Sequence, residues 1–299
     1  MTAVPRISVV MPVYNTGPFV AASVRSILAQ TFTDFEFIII DDGSTDDSLA
    51  VLKPLADADA RIRLVSRPNA GYGVTLTEGM SLARASYLAR LDSDDLSEPE
   101  RLRMQYEALE ADPQLVAIGS CGIAIDEHDQ VIGNYDVPLT HEAIEEQHLR
   151  GSSSIHHPAV LMRAQAFAKV GGYRMELVPC EDFDLWLRLG EVGRLANLPQ
   201  RLLKKRMLTN GLVVSNARKH ETALRKVMDD AWSRRGLPGR YEPQASSLRR
   251  PADFYRQWGW MALKRGDARG SRRFAWRAVQ AQPLAWESWK LLACTVRGH

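Results

Sequence analysis

Phe35-Glu36-Phe37-Ile38-Ile39-Ile40-Asp41-Asp42-Gly43-Ser44 is the stretch on which the fold turns. Aromatic and β-branched residues make Phe35 to Ile40 the most apolar strand in the chain, and the acids and glycine that follow end it. Upstream, Ile7 to Val13 reads as a first strand and Pro18 to Gln30 as a helix with Val20, Val24, Ile27 and Leu28 on its inner face. Downstream the pattern continues with a helix over Asp46 to Ala58, a strand over Ile62 to Ser66, a helix over Gly73 to Arg84 and a strand over Ser86 to Leu91. Short apolar runs alternating with longer amphipathic ones predict an α/β fold, a parallel sheet flanked by helices.

Each of these strands runs into polar residues: Tyr14-Asn15, Asp41-Asp42-Gly43-Ser44, Arg67-Pro68-Asn69 and Asp92-Ser93-Asp94-Asp95. All lie at carboxyl ends, the edge where open α/β sheets bind ligands. Asp92, Asp94 and Asp95 put three carboxylates into four residues, and so much negative charge in one turn invites a hard cation such as Mg²⁺ or Mn²⁺, which takes one or two protein carboxylates and fills its shell with phosphate oxygens and water. The plainer alternative is a solvated cap for a helix over Leu96 to Asp112. In the Asp41 to Asp46 segment one carboxylate could accept a hydrogen bond from a nucleobase, while Ser44 to Asp46 would start a helix in either case. Glu181-Asp182 opens a buried helical pattern through Phe183, Leu185, Trp186, Leu187 and Leu189; there a carboxylate is a helix cap or, facing a cleft, a general base.

Composition narrows the class. Of 299 residues 45% are hydrophobic and 25% charged, which excludes collagen-like and disordered chains. Cys121, Cys180 and Cys294 are too few and too scattered for a disulfide framework or a zinc spacing, and a reducing cytosol fits them. No signal pattern or membrane-length apolar run is present. The net charge of +2 hides an asymmetry, since residues 216–299 hold 18 Lys and Arg against 7 Asp and Glu, a net +11, leaving −9 for the first 215 residues. A basic tail without a nucleic-acid motif suggests an anionic membrane surface or lipid phosphate as partner, with a solvated helical face as the alternative.

Taken in order, Val10-Met11-Pro12-Val13-Tyr14-Asn15, Ser26 to Thr31, Phe35 to Asp46, Arg67 to Gly71, Leu91 to Asp95, Gly171-Gly172-Tyr173 and Glu181 to Trp186 closely resemble family 2 glycosyltransferases. The resemblance covers about residues 6 to 215 and implies a GT-A fold, a Rossmann-like nucleotide-sugar-binding sheet flanked by helices, here with a C-terminal helical appendage. It also implies an inverting transfer from a nucleotide diphosphate sugar, UDP favoured, to a glycan or lipid-linked hydroxyl in polysaccharide biosynthesis. Pro12, Tyr14, Asp41 and Asp42 would hold base and ribose, Asp42 being the first choice for the base. Arg67 would lie near the base or diphosphate, Asp92 and Ser93 near ribose or sugar. Asp94 would bind Mn²⁺ or Mg²⁺, and Asp182 would be the catalytic base. His157, Glu181 and Trp186 fall on the expected acceptor side. His156 and His157, adjacent on an expected strand, would point to opposite faces and not share a metal, and a satisfied structural histidine is the alternative role for His157.

Two positions depart from the family pattern. Lys205-Arg206-Met207-Leu208-Thr209-Asn210 lacks a histidine that many members carry near the metal, leaving water or Asn210 to complete the shell, and Thr77 stands where asparagine is common. The catalytic domain is expected over 1–215 and a helical region over 216–299, with a linker at about 236–251. The helical region divides into Asn216 to Arg235, Ala252 to Arg265, Gly270 to Gln282 and Leu284 to Val296. Five of the seven tryptophans, Trp258, Trp260, Trp276, Trp286 and Trp289, lie in its last three segments. Core packing, as in a tetratricopeptide-like hairpin, is expected for most of them, with a membrane interface as the other use. The expected location is cytoplasmic, peripheral at the inner face of a membrane. A non-catalytic nucleotide-sugar binding module and an NAD-binding enzyme are the competing classes. The latter lacks a glycine fingerprint after the first strand.

Overall fold

The structure is a computed structural model that describes residues 4–208, 217–239, 241 and 250–297. Strands β1 (Ile7–Val13), β2 (Phe35–Asp41), β3 (Ile62–Ser66) and β4 (Tyr87–Arg90) alternate with helices α1 (Gly17–Leu28), α2 (Ser48–Ala58) and α3 (Tyr72–Ser81). They pair in parallel in the order β3-β2-β1-β4, as the alternation predicts. Because side chains alternate across a strand, Val10, Ile38 and Ile40 pack against α3 residues Leu76 and Met80 on one face. Val9, Met11, Phe37 and Ile39 pack against Val20, Val24 and Ile27 of α1 on the other. Sheet and helices approach closely on the first face: a Cβ at Gly79 would lie 2.4 Å from Val10 Cγ1.

Beyond β4 the sheet is mixed, a part of it that the alternation of strands and helices does not predict. The next elements are β5 (Leu96–Ser97), α4 (Arg101–Ala111), β6 (Leu115–Ile125), β7 (Val131–Tyr135), α5 (His141–Leu149), β8 (Leu161–Arg163), α6 (Ala164–Lys169), α7 (Glu181–Gly190) and β9 (Arg194–Arg206). Strand β8 runs antiparallel to both β4 and β6, β9 runs parallel to β6, and β5 and β7 pair antiparallel to β9 and β6. The helix expected from Leu96 starts only at Arg101, because Leu96 and Ser97 pair with Lys204 and Leu203. His157 lies in a 3-10 turn, His157–Ala159, so the strand geometry assumed for the two histidines does not apply.

The tail is helical, with α8 (Ala217–Arg234), α9 (Pro251–Lys264), α10 (Ala268–Ala281) and α11 (Trp286–Arg297). The expected domain boundary at 215/216 and most of the expected linker lie outside the described residues. Helix α8 buries Ala223, Leu224, Val227 and Met228 in the same core cluster as α7. Helices α9 and α10 meet the β6–β7 hairpin through Trp258 and Phe274, which pack with Ala124 and Ile132. Of the five tail tryptophans Trp258 is buried, whereas Trp276, Trp286 and Trp289 are exposed. Core packing for most of them is therefore corrected: three short helices of this width enclose only one indole. Among the described residues no helix is long and apolar enough to cross a membrane.

Candidate active site

The carboxyl ends of β1, β2 and β4 lie along one edge of the sheet, and the end of β4 is within electrostatic reach of the N-terminus of α7. At β1 the chain leaves the sheet through Asn15, whose φ of 52° is left-handed and whose side chain locks the turn, its Oδ1 accepting from the Thr45 amide at 2.8 Å. Pro12 is buried within β1 and Tyr14 is exposed. Asp41 and Asp42, both buried, end β2. Asp41 accepts from the Ser66 hydroxyl at 2.9 Å and the Ser44 amide at 3.3 Å. Asp42 accepts from the Ala70 and Gly71 amides at 2.8 and 3.0 Å and from Arg67. Arg67 also donates to Glu78 at 2.7 Å and to the Thr75 hydroxyl at 3.0 Å. Asp42 and Arg67 together therefore shape the 67–71 loop and tie it to α3.

At the end of β4 the acids gather. Carboxylate oxygens of Asp92, Asp94 and Asp95 lie within 4.8 Å of one another. Asp92 is paired with Arg90. Asp95 is buried, with one oxygen accepting from the Arg206 amide at 2.7 Å and the other without a partner. Among the described residues no other side chain pairs with the Asp94 carboxylate. Ser93 faces α1 instead: its hydroxyl accepts from Thr16 at 3.0 Å and its carbonyl from Ser23 at 2.9 Å. Burial, then the charge of Asp92, pushes Asp94 up to about 6. Burial, then the charges of Asp94 and Asp92, raises Asp95 well above the usual carboxylate range. Crowded carboxylates with an unpartnered buried oxygen are a donor set suited to a hard divalent cation. Asp94 and Asp95, flanked by Asp92, would hold it.

Across from this loop, α7 begins with Glu181 and Asp182. Glu181 is buried with Oε2 unpartnered, and burial, then the adjacent Asp182, pushes it up to about 8. Asp182 is raised by burial and held down by the Phe183 amide, at 2.7 Å, and by the charges of Arg90 and Lys205. The two acidic groups share a neighbourhood: the Asp92 charge reaches Asp94, Asp95 and Glu181, and the Arg90 charge reaches Asp94, Glu181 and Asp182. Glycine-rich entry, Gly171 and Gly172 with positive φ, brings the chain round to Tyr173, which takes part in the same cluster.

His157 lies beneath this pair. Its Nε2 is 2.6 Å from the Tyr173 hydroxyl, its ring packs edge-on to Trp186, and burial, then Arg90, holds it well below the usual histidine range and so neutral. Trp186 is fully buried and packs against His157. His156 turns the other way, edge-on to Tyr135. Asn210 lies outside the described residues. A groove of about 550 Å³ near Pro5, Phe35, Ile62 and Arg84 is at the amino ends of β2 and β3, away from the acids.

Sequence reasoning missed Arg90. It is buried, ends β4, pairs with Asp92 and donates to the Tyr72 hydroxyl at 2.8 Å. The signal was present as a lone arginine in the strand before an acidic loop, since a charge seldom enters a buried strand without a partner. Arg206 and Lys205, at the end of β9, have no local pattern that marks them, yet both face the acids.

Titratable groups gathered at the carboxyl edge of the parallel strands define an α/β protein whose ligand edge is that one. Residues 8–171 match the family described as Glycosyl transferase family 2, and the chain belongs to that family and is a glycosyltransferase. It is 34% identical over 211 residues to the putative glycosyltransferase EpsE of Bacillus subtilis (strain 168), covering 69% of this chain and 74% of that one. It is 32% identical over 191 residues to the chondroitin synthase of Escherichia coli, covering 64% of this chain but spanning only 27% of that protein. The fold is similar to mannosyltransferase PcManGT from Pyrobaculum calidifontis in complex with GDP-Man and Mn²⁺, with a TM-score of 0.57 at 15% identity over 99% of this chain and 81% of that one. The architecture is accordingly of GT-A type with C-terminal helices.

Proposed function

We propose that the chain transfers a sugar from a nucleotide diphosphate sugar, UDP-linked by preference, to a hydroxyl of a glycan or lipid-linked acceptor in polysaccharide biosynthesis, inverting the anomeric centre. The observation that carries this reading is the approach of the Asp92–Asp95 loop to Glu181 and Asp182 around Arg90. Asp94 and Asp95 would hold Mn²⁺ or Mg²⁺, and the bound ion would offset charge on the departing diphosphate. Pro12, Tyr14 and the Asp41–Asp42 turn would form the base and ribose pocket, with Arg67 supporting its wall through Asp42. Asp182, whose ionised form is favoured by the Phe183 amide and by the charges of Arg90 and Lys205, would take the acceptor hydroxyl proton. Glu181, held protonated near neutral pH, adds no second negative charge to repel it.

Support for the donor class comes from the fold's likeness to a mannosyltransferase bound to GDP-Man and Mn²⁺, and for the pathway from the similarity to a chondroitin synthase. The test is turnover and nucleotide binding, with and without Mn²⁺, across UDP-, GDP- and dTDP-sugars. Asp182→Asn should abolish transfer while nucleotide affinity stays within about twofold, and Asp94→Asn should remove the Mn²⁺ dependence of nucleotide binding. Full turnover by Asp182→Asn would remove that residue from the chemistry, and unchanged Mn²⁺ dependence in Asp94→Asn would reject it as the ligand.

The same reading places the protein peripherally at the cytoplasmic, inner face of a membrane. Leu284 is 100% exposed, Trp286 73%, Trp276 50% and Trp289 42%, with the Trp276 and Trp289 ring centroids 6.5 Å apart. Exposed Arg269 and Arg272 share the Trp276 face of α10 by helical spacing, and exposed Lys290 follows Trp289. Indoles edged by cations suit the headgroup layer of an anionic bilayer, in keeping with the +11 charge of residues 216–299. Sedimentation with phosphatidylglycerol vesicles checks this: Leu284→Ser with Trp286→Ser should lower the bound fraction severalfold, and undiminished binding would count against the surface.

A further inference from the structure

The C-terminal helices are joined to the acidic loop by a continuous set of hydrogen bonds. At the tip of the β6–β7 hairpin Asp126 is fully buried. Its Oδ1 accepts from the His128 and Gln130 amides at 2.8 and 2.9 Å, and its Oδ2 accepts from Arg273 of α10. Arg277, one turn on, donates to Glu127. Close packing supports the joint, since a Cβ at Gly133 would lie 2.9 Å from the end of Met261 on α9.

The Asp126 carbonyl in turn accepts from Arg206 Nη1 at 2.7 Å. Arg206 is buried and uses every arm: Nε donates to the Asp94 carbonyl at 2.8 Å and Nη2 to Asp129 at 2.6 Å, while the guanidinium lies 4.4 Å from the centroid of the Phe19 ring. Its backbone amide donates to Asp95. One residue therefore grips both the peptide of Asp94 and the side chain of Asp95.

We propose that Arg206 is a positioning residue that sets the geometry of the Asp94–Asp95 cation site, and that the C-terminal helices hold it there through Arg273 and Asp126. The inference rests on the reading that these acids bind a divalent cation. The planar guanidinium reaches three acceptors on two loops at fixed angles, which a lysine ammonium on a flexible stem cannot do. Groups that hold ligands in place typically change metal affinity by about 10- to 100-fold when lost.

The experiment measures Mn²⁺ binding to the full chain by the electron paramagnetic resonance signal of free Mn²⁺, with thermal unfolding in EDTA alongside. Arg206→Lys should weaken Mn²⁺ binding by about 10-fold or more. Arg273→Ala, which touches no ligand, should weaken it by about threefold. The double variant should be weaker than Arg206→Lys by less than that factor, because both act through one chain of contacts. A purely structural role would lower the unfolding temperature in EDTA and leave Mn²⁺ affinity unchanged, and that result overturns the assignment, as does full additivity. Should Arg206→Lys fail to fold, Asp129→Asn removes one of its partners outside the acidic loop, and wild-type affinity in both Asp129→Asn and Arg273→Ala is equally fatal. Absence of Mn²⁺ binding by the unaltered chain would instead strike the cation reading itself.

Discussion

Replacing Glu181 with glutamine keeps the shape of the side chain and removes its ionisation, so it isolates what burial of that carboxyl costs. The fold raises Glu181 from 4.5 to about 8, through burial first and the neighbouring Asp182 second. In the unfolded chain the group ionises near 4.5, so unfolding releases a proton at any pH between the two values. The folded state therefore has its full advantage from the protonated acid below 4.5, and loses it as pH rises through about 8. At about 1.36 kcal/mol per pH unit, that window sets a ceiling of about 5 kcal/mol, and coupling to Asp182 with relaxation around Arg90 should leave roughly half. For a chain of this size about 2–3 kcal/mol corresponds to an unfolding temperature difference of about 4–8 °C. Thermal unfolding in metal-free buffer should therefore show Glu181→Gln close to wild type at pH 5 and more stable by that amount at pH 8.5. A difference independent of pH, or a destabilised variant at pH 8.5, would refute the claim that Glu181 resists ionisation.

Other substitutions probe the frame around the site. Asp184 is fully buried between Arg174 and Arg188, accepting from Arg188 Nε at 2.8 Å and Arg174 Nε at 3.0 Å. Asp184→Ala leaves the buried Arg188 without its partner and should cost about 3–5 kcal/mol in denaturant unfolding; a loss below about 1 kcal/mol would contradict it. Gly79→Ala pushes a methyl to 2.4 Å from Val10 Cγ1 in the strand next to the site, and should destabilise by about 1–3 kcal/mol by calorimetry. Arg90→Gln removes a charge that favours ionisation of Asp182; the acid limb of the kcat/KM profile should move to higher pH, whereas a uniform drop with no movement would mean that Arg90 only supports the structure.

The first half of the fold could be read from the chain because β1, β2 and β4 are mostly apolar runs, buried along their whole length, and the polar residues that follow mark the ligand edge. The second half could not. β8 has only three residues, Leu161–Arg163, and β5 only two, too short for any period to declare itself, and β9 carries Pro199 and charged residues along 13 positions. Their pairing is decided by tertiary contacts. The acids announced themselves as clusters, whereas their counter-ions did not: Arg90, Lys205 and Arg206 are single residues at strand ends, and nothing local says that they face the same space. Trp186 packs edge-on to His157, a contact between residues far apart in the chain that no local period announces.

Charge balance links the catalytic edge to the rest of the molecule. Five acids, Asp92, Asp94, Asp95, Glu181 and Asp182, face three cations, Arg90, Lys205 and Arg206. The surplus is why burial raises four of these acids: with too few partners, a buried carboxyl keeps its proton. Filling the site with more arginines would relieve that strain but would also occupy the oxygens a diphosphate-bound cation needs. The chain instead spends its guanidinium groups on the edges of the cluster. Arg90 takes Asp92, and Arg206 takes the Asp94 peptide, so the loop is held without covering the Asp94 carboxylate. An acidic centre kept short of positive charge, within a frame fixed by arginines on its rim, is ordered before any ligand arrives and gains most from a ligand that brings its own cation.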